Sequence, residues 1–265
     1  MGNKARVGLI DGDIVAYRCA ASAIDGTPLK VVVYRMEDML DRIFLSVQPT
    51  EYKIYLSGGD NYRKILDPTY KANRKNIIPP VHLKDCREYL ATKWKATITD
   101  GIEADDALGI EQCYHLNNEN IDTVICSIDK DLLQIPGMHH NFLHERNLLV
   151  TPLEGLQSFY RSLLIGDTSD NVKGVAGLGK VKSARIIDHL KTEEEMFEVV
   201  KVLYKDNTRL VTNCNLLWIQ RKENEIWSDR SKHLETAERQ SKGQELTEVG
   251  QGQDNGLDRH DPRRC

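Results

Sequence analysis

The sequence predicts an α/β protein with a mainly parallel central sheet flanked by helices. Three observations carry that expectation. Short apolar runs alternate with segments of helical periodicity. The runs RVGLIDGD, YKIYLSGGD and TVICSIDKD each end in acids. The apolar share is 40% against 29% charged residues, enough for a packed core. In parallel sheets, ligand groups gather at the carboxyl ends of the strands. Acids at three strand ends therefore predict one site assembled from distant segments.

The elements follow in order. RVGLIDGD reads as a buried strand ending at Asp11, with Asp13 close by. VYRMEDMLDRIFLSV has helical spacing, with Met36, Met39, Leu40, Ile43 and Phe44 on one side. YKIYLSGGD is a second strand, ending at Asp60. VHLKDCREYLATKW is an amphipathic helix, followed by a short strand, KATITD. EADDALGIEQCYHL is a third helix. TVICSIDKD is a strand ending at Asp129 and Asp131, whose spacing of two puts both on one face. A further helix follows Pro152. Beyond residue 166 the chain is glycine-punctuated and basic, and reads as a loop, a hairpin turn and a helix. Residues 193–217 read as helical. From about residue 228 the chain is too polar to pack, and disorder is expected.

Composition excludes several classes. No run of eighteen apolar residues exists, so no membrane span is expected. MGNKARVGLIDGD lacks the apolar stretch of a signal peptide. The six cysteines are scattered without a CxxC pair, which argues for reduced thiols in a cytoplasm rather than zinc or redox motifs. The net charge of −4 argues against a nucleic-acid partner until its distribution is considered. Residues 61–95 hold nine Lys or Arg against three acids, and residues 173–191 hold five against one.

The acids form five groups: Asp11; Asp60; Glu103, Asp105 and Asp106; Asp129 and Asp131; and Asp167 and Asp170. Any one group has an ordinary explanation. EADD suits the positive end of a helix dipole, GDTSDN suits a turn with Asx caps, and DKD suits a solvated loop. Five groups in this arrangement, mostly at strand ends, make coincidence improbable. So many carboxylates share a pocket only if cations neutralise them. Oxygen-only donors favour magnesium or manganese over zinc. Two such ions about 4 Å apart are a standard device for displacement at phosphorus.

The basic residues suit the same chemistry. At helical spacing Lys71, Arg74 and Lys75 fall on one face, where cations grip a phosphate and stabilise transition-state charge. An ordinary solvated basic helix is the alternative. Arg63 and Lys64 read either as phosphate contacts or as an exposed surface pair. In GVAGLGKVKSA, Gly174, Gly177 and Gly179 let the backbone approach a ligand, and the amides of the following helix suit a phosphate. Lys180 and Lys182 add a positive field. A tight turn packing two helices is the alternative there.

Together, LIDGD, GIEADDALG, SIDKDLLQI, GDTSDN and GVAGLGKVKSA resemble the 5′-nuclease (flap endonuclease) family. That family includes the nuclease domain of bacterial DNA polymerase I and the stand-alone phage 5′–3′ exonucleases. The resemblance covers roughly residues 7–190, and DNYRKILDPTYKANRK looks most like the phage exonucleases. It implies a PIN-like sheet in residues 1–166, a helix-hairpin-helix DNA-binding subdomain in 167–227, and a tail in 228–265. It implies that Asp11, Asp60, Glu103 and Asp105 hold a first Mg2+ ion, with Asp105 as the bridging ligand. Asp106, Asp129, Asp131, Asp167 and Asp170 would surround a second, with Mn2+ able to substitute. Lys71 and Arg74 would act on the scissile phosphate at the base of an arch. Tyr17 would stack on the base beside the cut, with core packing as the alternative. The glycine hairpin would bind duplex DNA and a K+ ion. The implied activity is hydrolysis of DNA, or of RNA paired to DNA, near 5′ ends, nicks or flaps. The implied setting is phage replication or recombination in a host cytoplasm, by a monomer. The alternative is a non-catalytic DNA-binding module that keeps the fold.

Overall fold

A computed structural model of the chain describes residues 5–24, 26–118 and 120–228. The apolar strand β1 (Ala5–Asp11) forms its axis, because its side chains alternate between two cores. Val7 and Leu9 pack on one face with Leu108, Ile125 and Ile135. Ile10 packs on the other with Ile54, Leu56, Met36 and Leu40. β1 pairs in parallel with β2 (Glu51–Leu56) on one side and β4 (Ile121–Cys126) on the other. β3 (Thr97–Ile98) lies beyond β2, and β5 (Gly137–Asn141) beyond β4, both parallel. β6 (Arg146–Val150) closes the edge antiparallel, giving the order β3-β2-β1-β4-β5-β6. The chain winds outward from β1 in both directions, so the crevice beyond the end of β1 is the topological switch point.

The helices cover both faces. α1 (Gly12–Ala21), α2 (Leu29–Val47) and α4 (Leu83–Lys93) bury their apolar stripes on one face. Met36, Leu40 and Ile43 are buried as the spacing predicts, while Met39 and Phe44 are partly buried beside them. α5 (Ala104–His115) covers the opposite face. α6 (Pro152–Ile165) begins with a capping box between Thr151 and Glu154. Among the described residues, no helix is long and apolar enough to cross a membrane.

Several elements depart from the sequence reading. α1 and the short α3 (Tyr62–Leu66) are additional helices. The β5–β6 hairpin is a further addition, in which His139 is buried against the Ile135 carbonyl at 2.7 Å. The strand TVICSIDKD ends at Cys126, before its acids. The helix expected over 193–217 is two helices, α8 (Glu193–Tyr204) and α9 (Asn207–Leu217). Lys205 breaks it in the left-handed region (φ 58°), and Asp206 caps the second. Residues up to Trp227 form one compact unit. The expected boundary at 166 does not divide it, because α6 packs against α7 (Lys180–Ile187), α8 and α9. The expected disordered tail lies, beyond Ser228, outside the described residues.

A two-stranded hairpin, β7 (Gly166–Asp167) and β8 (Val172–Lys173), follows α6. Its strands come so close that a Cβ on Gly166 would strike the Gly174 amide and the Val172 carbonyl. Gly166 also has φ +77°, where an L side chain is strained. Gly166→Ala should therefore cost about 2 kcal/mol or more. A urea melt would show this as a lower midpoint with an unchanged slope.

Candidate active site

The switch-point crevice is floored by Asp11, which is 1% exposed. Because β1 stops there and α1 starts, its Oδ1 caps the helix by accepting from the Ile14 amide at 3.0 Å. Its Oδ2 accepts from the Ser127 hydroxyl at 2.7 Å, just past the end of β4. Burial raises the Asp11 pKa to about 7 against those two hydrogen bonds, and the charges of Asp13 and Asp129 add to the rise. Asp13 turns aside to pair with Arg87 and to accept from the Ser57 amide at 2.8 Å.

Asp129 and Asp131 meet Asp11 by a route other than strand alternation. Both follow the end of β4. The Asp129 amide donates to Ser127 Oγ at 3.0 Å, and the Asp131 amide donates to Asp129 Oδ1 at 2.8 Å. Asp131 then opens a 3-10 turn. Burial, the Asp129 charge and the nearby Asp167 raise its pKa to about 7. Lys130 stands 3.6 Å from Asp131 and 4.0 Å from Asp167. Asp167 stays below its ordinary value: burial would raise it, but the Ser169 hydroxyl and the amides of Asp170 and Ser169 outweigh that.

The N-terminus of α5 supplies the next acids. Burial pushes the Asp105 carboxyl well above its usual range, and the charges of Asp11, Asp129 and Glu103 push it further. For Glu103, the cations Arg63 and Lys71 overcome burial and hold it below its ordinary value. Asp106 points elsewhere, which corrects its expected place among the metal ligands. It is fully buried, with its oxygens 2.6 and 2.8 Å from the Arg63 guanidinium. It also accepts from the amides of Glu103 at 3.1 Å and Gln220 at 3.0 Å. Arg63 is 2% exposed and donates to the carbonyls of Leu216 and Trp218. It is a buried tie between α3, α5 and the C-terminal end of α9, not a phosphate contact. Asp60 does not end a strand as expected: β2 ends at Leu56, Ser57 takes the strand-end position, and Asp60 follows in the loop before α3, where it is exposed. Asp60 makes no hydrogen bond or ion pair among the described residues.

Lys71, Arg74 and Lys75 lie on a 3-10 turn rather than an α-helix, with Lys71 at φ 55°. Lys71 reaches Glu103 at 2.6 Å and Asp170 at 3.6 Å, and Arg74 reaches Asp170 at 2.6 Å. Lys75 is exposed and makes no ion pair among the described residues. The Tyr70 hydroxyl lies 2.9 Å from Glu103 and 2.8 Å from Asp170, joining the two acid groups. Burial raises Asp170 above its ordinary value, against the pull of Lys71, Tyr70 and Arg74. Tyr17 is 50% exposed on α1, so it is not a core residue.

In the glycine hairpin, a Cβ on Gly174 would collide with the Ile165–Gly166 backbone, so that glycine serves close packing. Gly177 (φ +78°) and Gly179 face open space, and Gly179 precedes α7. Lys182 donates to the Gly177 carbonyl at 3.0 Å. Lys180 lines the cavity that contains the acids. The positions missed from sequence are Ser57, Ser127 and Arg87, which hold the acids in place. Only the fold brings them there, although Ser127 directly follows an apolar strand.

The donor set is chemically suited to hard divalent cations: clustered carboxylates, two raised to about 7 by burial and mutual repulsion. Among the described residues, no three such groups stand in a ready-made metal-binding arrangement. Lys71, Arg74 and Lys130 are the cations now beside these carboxylates.

Two predictions follow from these environments. Removing Arg63 alone strands a buried charge, so Arg63→Met should cost about 3–5 kcal/mol. Arg63→Met/Asp106→Asn, which removes the stranded charge and keeps an acceptor for the Glu103 or Gln220 amide, should recover part of that loss in guanidinium melts. The second concerns pH. A carboxyl whose folded pKa exceeds its unfolded value binds its proton more tightly when folded. The stability contributed by Asp11 and Asp131 is thus present below about 4 and lost as pH rises through about 7. In EDTA, wild type should weaken between about pH 4 and 7, and Asp11→Asn, which keeps the cap, should exceed it at about pH 8 by roughly 1–3 kcal/mol.

Comparison with known proteins places this geometry. Residues 6–158 match the model of the 5′-3′ exonuclease N-terminal resolvase-like domain. A 5′-3′ exonuclease of Buchnera aphidicola is 26% identical over 83% of this chain and 83% of its own. The flap endonuclease Xni of Shewanella putrefaciens is 25% identical over 71% of this chain and 76% of its own. The fold is similar to that of a bacteriophage T5 flap endonuclease solved with DNA and metal ions (TM-score 0.53, 16% identity, 86% of this chain and 97% of that one). The matched segment contains β1, β2, β4 and α5, the elements that carry the acids around Asp11, and the chain belongs to the 5′–3′ exonuclease family.

Proposed function

We propose that the protein is a divalent-metal-dependent, structure-selective 5′-nuclease that hydrolyses phosphodiester bonds of DNA, or of RNA paired to DNA, near 5′ ends, nicks or flaps. One observation carries the reading. Asp11, Asp105, Asp129 and Asp131 join Glu103, Asp167 and Asp170 in one crevice, with Lys71 and Arg74 at its edge. The exonuclease and flap endonuclease names of the relatives support the reaction class. The DNA and metal ions bound to the T5 enzyme support the partner and the cofactor.

Asp11, Asp60, Glu103 and Asp105 would hold one ion, and Asp129, Asp131, Asp167 and Asp170 a second. Magnesium is the natural choice, with manganese substituting. When bound, such ions supply the charge that activates water and stabilises the departing oxygen. The chain's own residues do the rest. Lys71 and Arg74 exchange carboxylate partners for the phosphate and stabilise its developing charge. Tyr17, exposed on α1, stacks on a base beside the cut. The amides after Gly177 and Gly179, with Lys180 and Lys182, hold duplex backbone without reading sequence, alongside a potassium ion. Primer removal or trimming of 5′ ends in phage replication or recombination suits such an enzyme, acting as a monomer.

Wild-type protein should cut 5′-labelled flap and nicked duplexes with magnesium and fall silent in excess EDTA. Asp129→Ala/Asp131→Ala should still retard the same duplexes in a gel shift, with cleavage reduced at least a thousandfold. Undiminished cutting by that variant, or cutting in EDTA, would falsify the reading.

A further inference from the structure

Asp13 lies just past Asp11 in the chain, yet neither it nor Arg87 lines the cavity shared by Asp105, Asp131, Asp167 and Asp170. The Arg87–Asp13 pair closes instead on a single peptide unit. Arg87, on α4, donates through Nη1 to Asp13 Oδ1 and through Nη2 to the Ser57 carbonyl. Asp13 Oδ2 accepts from the Ser57 amide at 2.8 Å. Ser57 comes directly after the last residue of β2, so strand pairing does not fix it. The pair takes its backbone donor and its backbone acceptor. That leaves the side chain, and Ser57 Oγ accepts from the Ala104 amide at 2.9 Å. Ala104 is the first residue of α5 and stands between Glu103 and Asp105.

Stability does not explain this arrangement. The side chains of Arg87 and Asp13 are 31% and 29% exposed, and an ion pair so open to water contributes little to folding. Its value lies in direction. A guanidinium fork holds two acceptors in one plane, and here one is the Ser57 carbonyl and the other the carboxylate that grips the Ser57 amide. The platform behind the pair is rigid: a Cβ on Gly12 would strike the Tyr55 carbonyl, so the start of α1 is pressed against β2. The start of α5 needs such a tether. Asp105 is repelled by the charges of Asp11, Asp129 and Glu103, which push this helix end away from β1. The Arg63–Asp106 pair holds the interior side of the turn. Ser57 Oγ, reaching from the end of β2, holds its first amide.

We infer that Arg87 is a positioning residue of the metal site: with Asp13 it clamps the Ser57 peptide, Ser57 Oγ holds the Ala104 amide, and this chain of contacts sets how near Glu103 and Asp105 stand to Asp11. The inference rests on the nuclease reading and deepens it. It assigns control of divalent-ion affinity to a residue of α4 that acts on the carboxylates only through the backbone of Ser57 and α5.

Calorimetric titration of the full chain with Mn2+, without DNA, tests it. Arg87→Met should bind Mn2+ about tenfold more weakly than wild type, the lower end of the loss seen when a residue behind a metal ligand is removed. Arg87→Lys keeps the charge without the fork and should be about as weak. Ser57→Ala should lose about the same, and Arg87→Met/Ser57→Ala no more than the weaker single variant, because both act through one amide. Ile43→Val, in the core beneath α2, should lower the melting midpoint and leave Mn2+ affinity unchanged. In cleavage assays Arg87→Met should need about tenfold more Mg2+ for half its maximal rate, with KM for a flap duplex within about twofold of wild type at saturating metal. Wild-type affinity in Arg87→Met overturns the inference, as does full rescue by Arg87→Lys, additive losses in the double variant, or an equal loss in Ile43→Val. If Arg87→Met does not fold, Ser57→Ala decides: undiminished Mn2+ binding by that variant overturns the inference. A wild-type protein that shows the clamp's effect on Mn2+ but cuts nothing refutes the nuclease reading and keeps the clamp. One that cuts while Arg87→Met binds Mn2+ as tightly does the reverse.

Discussion

Negative charge held out of water is the constraint on which the rest of the structure depends. Asp11, Asp105 and Asp131 stand in a crevice that denies them full hydration, and the nearby charge of Asp129 adds to the rise in their proton affinity. Such a cluster persists only where the scaffold fixes its members and supplies countercharge. The fixing is done by backbone and hydroxyl donors: the Ile14 amide and Ser127 for Asp11, and Ser169 for Asp167. The countercharge is Lys71, Arg74 and Lys130, all at least partly exposed and so able to exchange partners with little desolvation.

Arg63 plays the opposite part. It neutralises Asp106, and through the carbonyls of Leu216 and Trp218 it ties the start of α5 to the C-terminal end of α9. The same helix turn therefore carries two kinds of carboxylate. Asp105 faces the crevice and repels its neighbours. Asp106, next in sequence, faces the interior and is satisfied. The capping box between Glu103 and Asp106 couples them, so the buried pair sets the direction in which Glu103 and Asp105 project.

Much of this was legible beforehand, for identifiable reasons. Strand β1 is a continuous apolar run and is buried as such, and helix α2 is strongly periodic, with Met36, Leu40 and Ile43 buried as the spacing predicts. Acids at the ends of apolar runs point to the carboxyl edge of a parallel sheet, where the switch point falls. The β5–β6 hairpin leaves no clear mark in the sequence because β5 is mostly polar, with His139 and His140 buried through hydrogen bonds, and the apolar half of β6 is short and exposed except at Val150. The break at Lys205 escaped because a left-handed lysine leaves no mark in the hydrophobic period.

The sequence by itself determined the fold class, the order of the acids and the chemistry they suit, since these depend on local periodicity and residue type. Only the tertiary structure decided which charges are free. Asp106 and Arg63 lie 43 positions apart, and their carbonyl partners more than 150 from Arg63, so no local pattern announces the pairing. Asp60 lies in a loop rather than at a strand end because β2 ends at Leu56, a boundary set by pairing with β1 and β3. Ion pairing and strand length are settled by neighbours distant in the chain, and folding alone brings those neighbours together.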